Sequence, residues 1–181
     1  MGIILAIAVL WGIAEATVFF IVPDVWISLV AMRRGWKAGL LAACLACIGA
    51  LIGGTMMYLW GRSDAEAARH VLDMIPAISP AMIWMTGYEL NHSGLISMVL
   101  GAFTGVPFKI YAVEAGALGK GLGAFLGMAV IARLMRFVLG ALIAAAAASV
   151  LRRFYSERTI LSLLAGFWII FYAWYFTVTG S

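Results

Sequence analysis

Six ionisable residues lie inside long apolar stretches of this sequence: Glu15, Asp24, Lys109, Glu114, Arg133 and Arg136. A charge is costly in an apolar medium, so each must face a cavity or a partner. Arg133 and Arg136 stand three apart and share one face of a helix. Two planar guanidinium forks on one face suit a phosphate. Lys109 is a third candidate phosphate ligand, and Glu114, five residues on, is its expected charge partner. Glu15 and Asp24, carboxylates held at depth, are candidates to take and release protons. Catalytic chemistry has no such support. The sequence carries no zinc motif, no GxSxG elbow and no clustered Asp/His set, so no enzyme activity, metal or cofactor is expected. Cys44 and Cys47 read as small helix-packing residues, with a membrane redox pair as the alternative.

The elements that position these residues follow from composition. Of 181 residues, 65% are apolar and only 11% are charged, and the mean hydropathy is +1.07. A soluble domain of this size cannot hide so much apolar surface. A soluble enzyme, a nucleic-acid-binding domain and a disordered chain are thereby excluded. The net charge of +4 reflects twelve Lys and Arg spread thinly, read as membrane-flanking charges and a few buried functional ones. The first apolar run lacks a basic region before it, so it is read as part of the mature fold.

Five apolar stretches appear. Residues 38–60, 122–151 and 160–178 are each long enough to span a bilayer. Residues 2–32 are broken by Pro23-Asp24, and 95–118 by Pro107. Proline removes a backbone donor and turns the residue before it toward extended geometry. Each broken stretch is therefore either a kinked spanning helix or a re-entrant hairpin of two half-helices. Charge arbitrates. The 32–37 link carries +3, the 152–158 link +2 and the 61–92 link −2. If both broken stretches are re-entrant, the basic links share one side. Lys and Arg then divide six to three, with the basic side cytoplasmic and the C-terminus outside. The expected fold is all-α and polytopic, with hairpins at 2–32 and 95–118, spans at 38–60 and 122–151, and an added C-terminal helix at 159–179.

The 61–92 link should hold two interfacial helices. Ser63-Asp64-Ala65-Glu66 reads as a capping box, followed by Ala68, Val71, Leu72 and Ile75 on one face, with Pro76 and Pro80 ending the helix. Residues 81–91 form the second, anchored by Trp84 and Tyr88. Sliding the chain by 84 positions sets Phe19, Val22, Pro23, Ala31, Gly35 and Gly39 on Phe103, Val106, Pro107, Ala115, Gly119 and Gly123. Two such halves entering from opposite sides make an inverted repeat, an architecture of secondary transporters with a site near the midplane.

These residues resemble the DedA/VTT family, also called SNARE-associated Golgi proteins. Glu15, Pro23-Asp24 and Tyr58-Leu59-Trp60-Gly61-Arg62 carry the likeness in the first half. Asn91-His92-Ser93-Gly94, Phe103 to Pro107, Glu114-Ala115-Gly116, Arg133 and Arg136-Phe137 carry it in the second. It covers residues 10–139 and implies a domain over 1–151. The resemblance implies a bacterial inner-membrane protein that moves undecaprenyl phosphate or a phospholipid, coupled to protons. By position, Glu15 and Asp24 would be the membrane acids, and Arg133 and Arg136 the functional arginines. Where many bacterial members carry an Arg before the second proline and another after it, this chain has Gly101, Phe103 and Lys109. The expected partners are therefore membrane lipids with an anionic phosphate, and protons. Nucleic acid is not expected, and a homo-oligomer is left open. The alternatives are a small-ion or solute transporter on the same scaffold, and an assembly factor whose buried charges are structural.

Overall fold

The computed structural model describes residues 2–179, which form nine α-helices and one short 3₁₀ turn, with no strand among them. α3 (Trp36–Ser63), α8 (Leu122–Leu151) and α9 (Glu157–Thr179) are the long ones, and all three are apolar and long enough to cross a membrane. At 28, 30 and 23 residues they reach about 42, 45 and 34 Å at 1.5 Å per residue. The two broken stretches form helix pairs instead. α1 (Gly2–Thr17) is followed by α2 (Asp24–Arg34), and α6 (Ser97–Thr104) by α7 (Phe108–Ala117). None of these four reaches the roughly 30 Å of a hydrocarbon core by itself.

Both breaks fall at the prolines the sequence marks. Pro23 and Pro107 each sit at the residue preceding the second helix, where a missing N–H costs nothing. The chain leaves α6 through Gly105 at φ +91°, a left-handed conformation that a Cβ would oppose.

Small residues set the packing directions. Gly49 lies on the backbone of Val9, and Gly53 lies on that of Ile13, so α1 runs parallel to α3. Gly39 meets Ala31 across the Gly35 turn, so α2 runs back antiparallel to α3. Thus α1 and α2 together double back along α3. Gly54 meets Phe108 and Gly61 meets Val113, which makes α7 parallel to α3 as well. Gly39 also meets Ala141, while Tyr58 stacks on Phe125 with ring centroids 5.3 Å apart, so α3 and α8 are antiparallel. Two of the long helices therefore pack against the second leg of the pair belonging to the other half: α3 against α7, and α8 against α2. With no Cβ in the way, the backbones approach closely enough for dispersion to hold them where lipid offers no hydrophobic drive.

The two basic links meet at one end. Arg152 donates to the carbonyl of Met32 at 2.6 Å, and Arg33 pairs with Glu157 at 3.3 Å. Toward the other end of α3, the Tyr58 hydroxyl donates to the Lys120 carbonyl. Between α3 and the second pair, α4 (Ala65–Asp73) buries Ala68 and Leu72, and α5 (Pro80–His92) buries Ile83, Thr86 and Leu90. Two local expectations are corrected. The N-cap of α4 is Asp64, whose carboxylate accepts from the Ala67 amide, while Ser63 is the last residue of α3. Pro80 does not end a helix but starts α5 behind the Ser79 cap, and α4 has already stopped at Asp73. The capping oxygen must sit where the backbone turns extended, and Asp64 (φ −151°, ψ 86°) is that residue.

Candidate functional site

The helix breaks expose backbone groups that no helix ladder satisfies, so side chains from elsewhere must reach them. Around Val18–Pro23, the Trp11 indole donates to Ile21 O at 2.9 Å and the Lys109 ammonium to Phe19 O at 2.8 Å. The Val22 amide donates to the Tyr172 hydroxyl at 2.8 Å. At the second break, Arg136 donates to Ala102 O at 3.1 Å and Tyr175 to Gly105 O at 3.4 Å. α9 thus serves both breaks from outside the bundle, and its Trp168 donates to Ser28 on α2 at 3.1 Å. Its Trp and Tyr residues fit this role, since each of those rings carries apolar area and a polar tip.

Five of the six ionisable residues singled out in the sequence come together here. Arg133 donates to the Glu15 carboxylate in a buried ion pair, and Arg136 pairs with Asp24 at 3.3 Å. The Arg133 guanidinium lies 4.4 Å from the Phe108 ring centroid and 5.3 Å from that of Phe137. These ring faces stabilise a cation where water is scarce. Lys109 is 1% exposed and takes part in no ion pair among the described residues. Two buried atoms in the cluster have no hydrogen-bond partner among the described residues: Arg133 Nε and Asp24 Oδ2. A cavity of about 60 Å³ adjoins, lined among others by Glu15, Val22, Lys109, Arg136, Tyr172 and Tyr175.

Glu114 lies elsewhere. It accepts a bidentate pair of hydrogen bonds from Arg69 on α4, at 2.6 and 2.7 Å, so it is not the partner of Lys109. Five residues of helix rotate two side chains about 140° apart, so the two face opposite ways. The paired hydrogen bonds to Glu114 raise the pKa of the Arg69 guanidinium above its ordinary value. This ion pair forms part of the lining of an open groove of about 970 Å³ between α4 and α5, which also holds His70, Asp73, Trp84 and His92.

Sequence reasoning missed Tyr172 and Tyr175. Both lie in an aromatic-rich helix that composition reads as an added anchor. The available signal is a hydroxyl recurring three residues on within a span, at a spacing that puts both on one face. The cysteines also differ from each other: Cys44 is exposed and Cys47 buried. No metal-holding group of His, Cys, Asp and Glu occurs among the described residues.

These features define a helical membrane protein with a buried charge cluster at two helix breaks. Comparison of the chain with models of protein families, with curated proteins and with solved structures finds no match.

Proposed function

We propose that this chain is a transporter of a phosphate-bearing lipid, such as undecaprenyl phosphate or a phospholipid, of flippase or scramblase type and coupled to protons. The observation that carries this reading is the burial of Arg133, with Arg136 partly buried, beside two helix breaks in an otherwise apolar bundle, Arg133 Nε lacking a partner among the described residues. Paired guanidiniums at irregular backbone are the chemistry a phosphate head group needs. The acyl or prenyl tail would stay in lipid. The resemblance to DedA/VTT proteins supports the same reading through Glu15, Asp24, Arg133 and Arg136. On this proposal α1–α2 and α6–α7 are re-entrant hairpins of an inverted repeat. The antiparallel α3 and α8, and the meeting of the 32–37 and 152–158 links, support that arrangement. The membrane would be the bacterial inner membrane, with both basic links cytoplasmic.

Two observations favour other readings. The cavity of about 60 Å³ has room for only a few water-sized groups, which fits a small ion or solute better than a head group unless the site opens. The pairing of both arginines with carboxylates also fits a scaffold whose charges only fix the bundle. One experiment separates them: transbilayer movement of a labelled polyprenyl phosphate and a labelled phospholipid in proteoliposomes, with and without a pH gradient. Movement of either lipid that falls at least about tenfold in folded Arg133→Ala/Arg136→Ala protein, a loss of about 1.4 kcal/mol or more, is the expected result. No movement in folded wild type, or movement indifferent to both arginines, rejects lipid transport through this site.

A further inference from the structure

The charges of the buried cluster do not sum to zero. Glu15 balances Arg133 and Asp24 balances Arg136, each in an ion pair. Lys109 is left over. Its ammonium is 1% exposed, and its hydrogen-bond partner among the described residues is a neutral carbonyl, Phe19 O at 2.8 Å. Lysines are almost never fully buried unless paired. An ammonium offers three donors, and a buried one without a counter-charge is the least favourable charge in such a cluster. A neutral amine keeps a donor for Phe19 O, so loss of the proton breaks no contact. Loss of an ion-pair partner is different, since protonating Glu15 would leave the buried Arg133 guanidinium without its counter-ion, and protonating Asp24 would do the same to the partly buried Arg136.

We propose that Lys109, and not Glu15 or Asp24, carries the exchangeable proton of this site. It does so as the neutral amine when the site holds no anion and as the ammonium when an anion lies beside it. Glu15 from α1, Arg136 from α8, and Tyr172 and Tyr175 from α9 line the cavity with it, and Arg133 on α8 and Asp24 on α2 are the ion-pair partners of Glu15 and Arg136. The four charged ones cancel in pairs, so an entering anion such as a phosphate monoester meets one site that can gain a positive charge. Anion and proton then enter together, and the buried site never carries the anion's charge uncompensated. The coupling to an anion rests on the transport reading above. The proton-carrying role of Lys109 does not.

The test uses the full chain in phosphate-free maltoside micelles. Proton uptake on lowering the pH from 9.5 to 6 is followed with an indicator dye. Wild type is expected to take up one proton per chain more than Lys109→Gln. Lys109→Arg, which keeps a donor toward Phe19 O but holds its charge, guards against misfolding of the Gln variant and should lose the same step. An unchanged step in the Arg variant overturns the proposal. So does a step that disappears in Glu15→Gln or Asp24→Asn while Lys109→Gln retains it. Dodecyl phosphate is then added at a pH above the midpoint of that step, where the amine is neutral and the phosphate is fully ionised. Wild type should take up a proton as it binds, and Lys109→Arg should bind without uptake. Failure of wild type to bind this probe counts against the transport reading, and the dye titration still decides the role of Lys109.

Discussion

Glu15 and Arg133 lie 118 residues apart in sequence and form an ion pair in which neither side chain is more than 4% exposed. The pair joins α1 to α8. Removing one partner strands the other charge in an apolar interior, which costs about 3–5 kcal/mol. Glu15→Gln and Arg133→Met should therefore each lower the thermal midpoint in detergent sharply. The double variant should recover most of the loss, because neither charge is left alone. Additive losses in a double-mutant cycle would show that the two groups are not coupled.

The Arg69–Glu114 pair is asymmetric in a useful way, since the Arg69 side chain is 44% exposed and that of Glu114 only 3%. Arg69→Ala leaves a buried carboxylate and should cost about 3 kcal/mol or more. Glu114→Gln leaves an arginine that can turn to water, and should cost about 1 kcal/mol or less. Chemical unfolding of the two variants checks the ranking; equal losses would mean that Glu114 is better solvated than its burial implies.

Tyr172 supplies the acceptor for the Val22 amide at 2.8 Å. Phe removes that acceptor and keeps the ring. A buried donor left unsatisfied costs about 1–3 kcal/mol, and the first break should open more often. Amide hydrogen exchange at Val22, Asp24 and Val25 should then run about tenfold or more faster in Tyr172→Phe, with exchange in the middle of α3 unchanged. Equal rates at those three amides would remove the Tyr172 hydroxyl from any part in holding the break closed.

The contact between Arg152 and Met32 O brings the two basic links to one end of the bundle. Single cysteines at Arg34 and Tyr155, in a background without Cys44 and Cys47, should react with a membrane-impermeant maleimide from the same side. A cysteine at His92 should react from the opposite side. Labelling of residues 34 and 155 from opposite faces would instead make α6–α7 a full crossing.

Much of this arrangement is legible along the chain. Apolar length alone marks α3, α8 and α9, because a bilayer core demands about 20 apolar residues and no soluble surface tolerates them. Pro23 and Pro107 mark the breaks, since a ring without an N–H fits only at a helix start. The six ionisable residues stand out because charge is rare where apolar residues are continuous. Local caps are less legible. Ser63 and Asp64 are both good N-caps, and which one caps depends on where α3 stops.

Partner choice belongs to the tertiary structure. Sequence distance points Lys109 toward Glu114, five residues away, but helix rotation turns Glu114 toward Arg69 and leaves Lys109 beside a carbonyl 90 residues back. The pairing of Arg133 with Glu15 and Arg136 with Asp24 likewise depends on the close approach of α1, α2 and α8. The roles of Tyr172 and Tyr175 exist only because α9 lies across both breaks. Composition and proline positions determine which segments are helical and where they break, since those terms act within a few residues. Which charge meets which is decided between helices, where the energy depends on distance in space and not on separation along the chain.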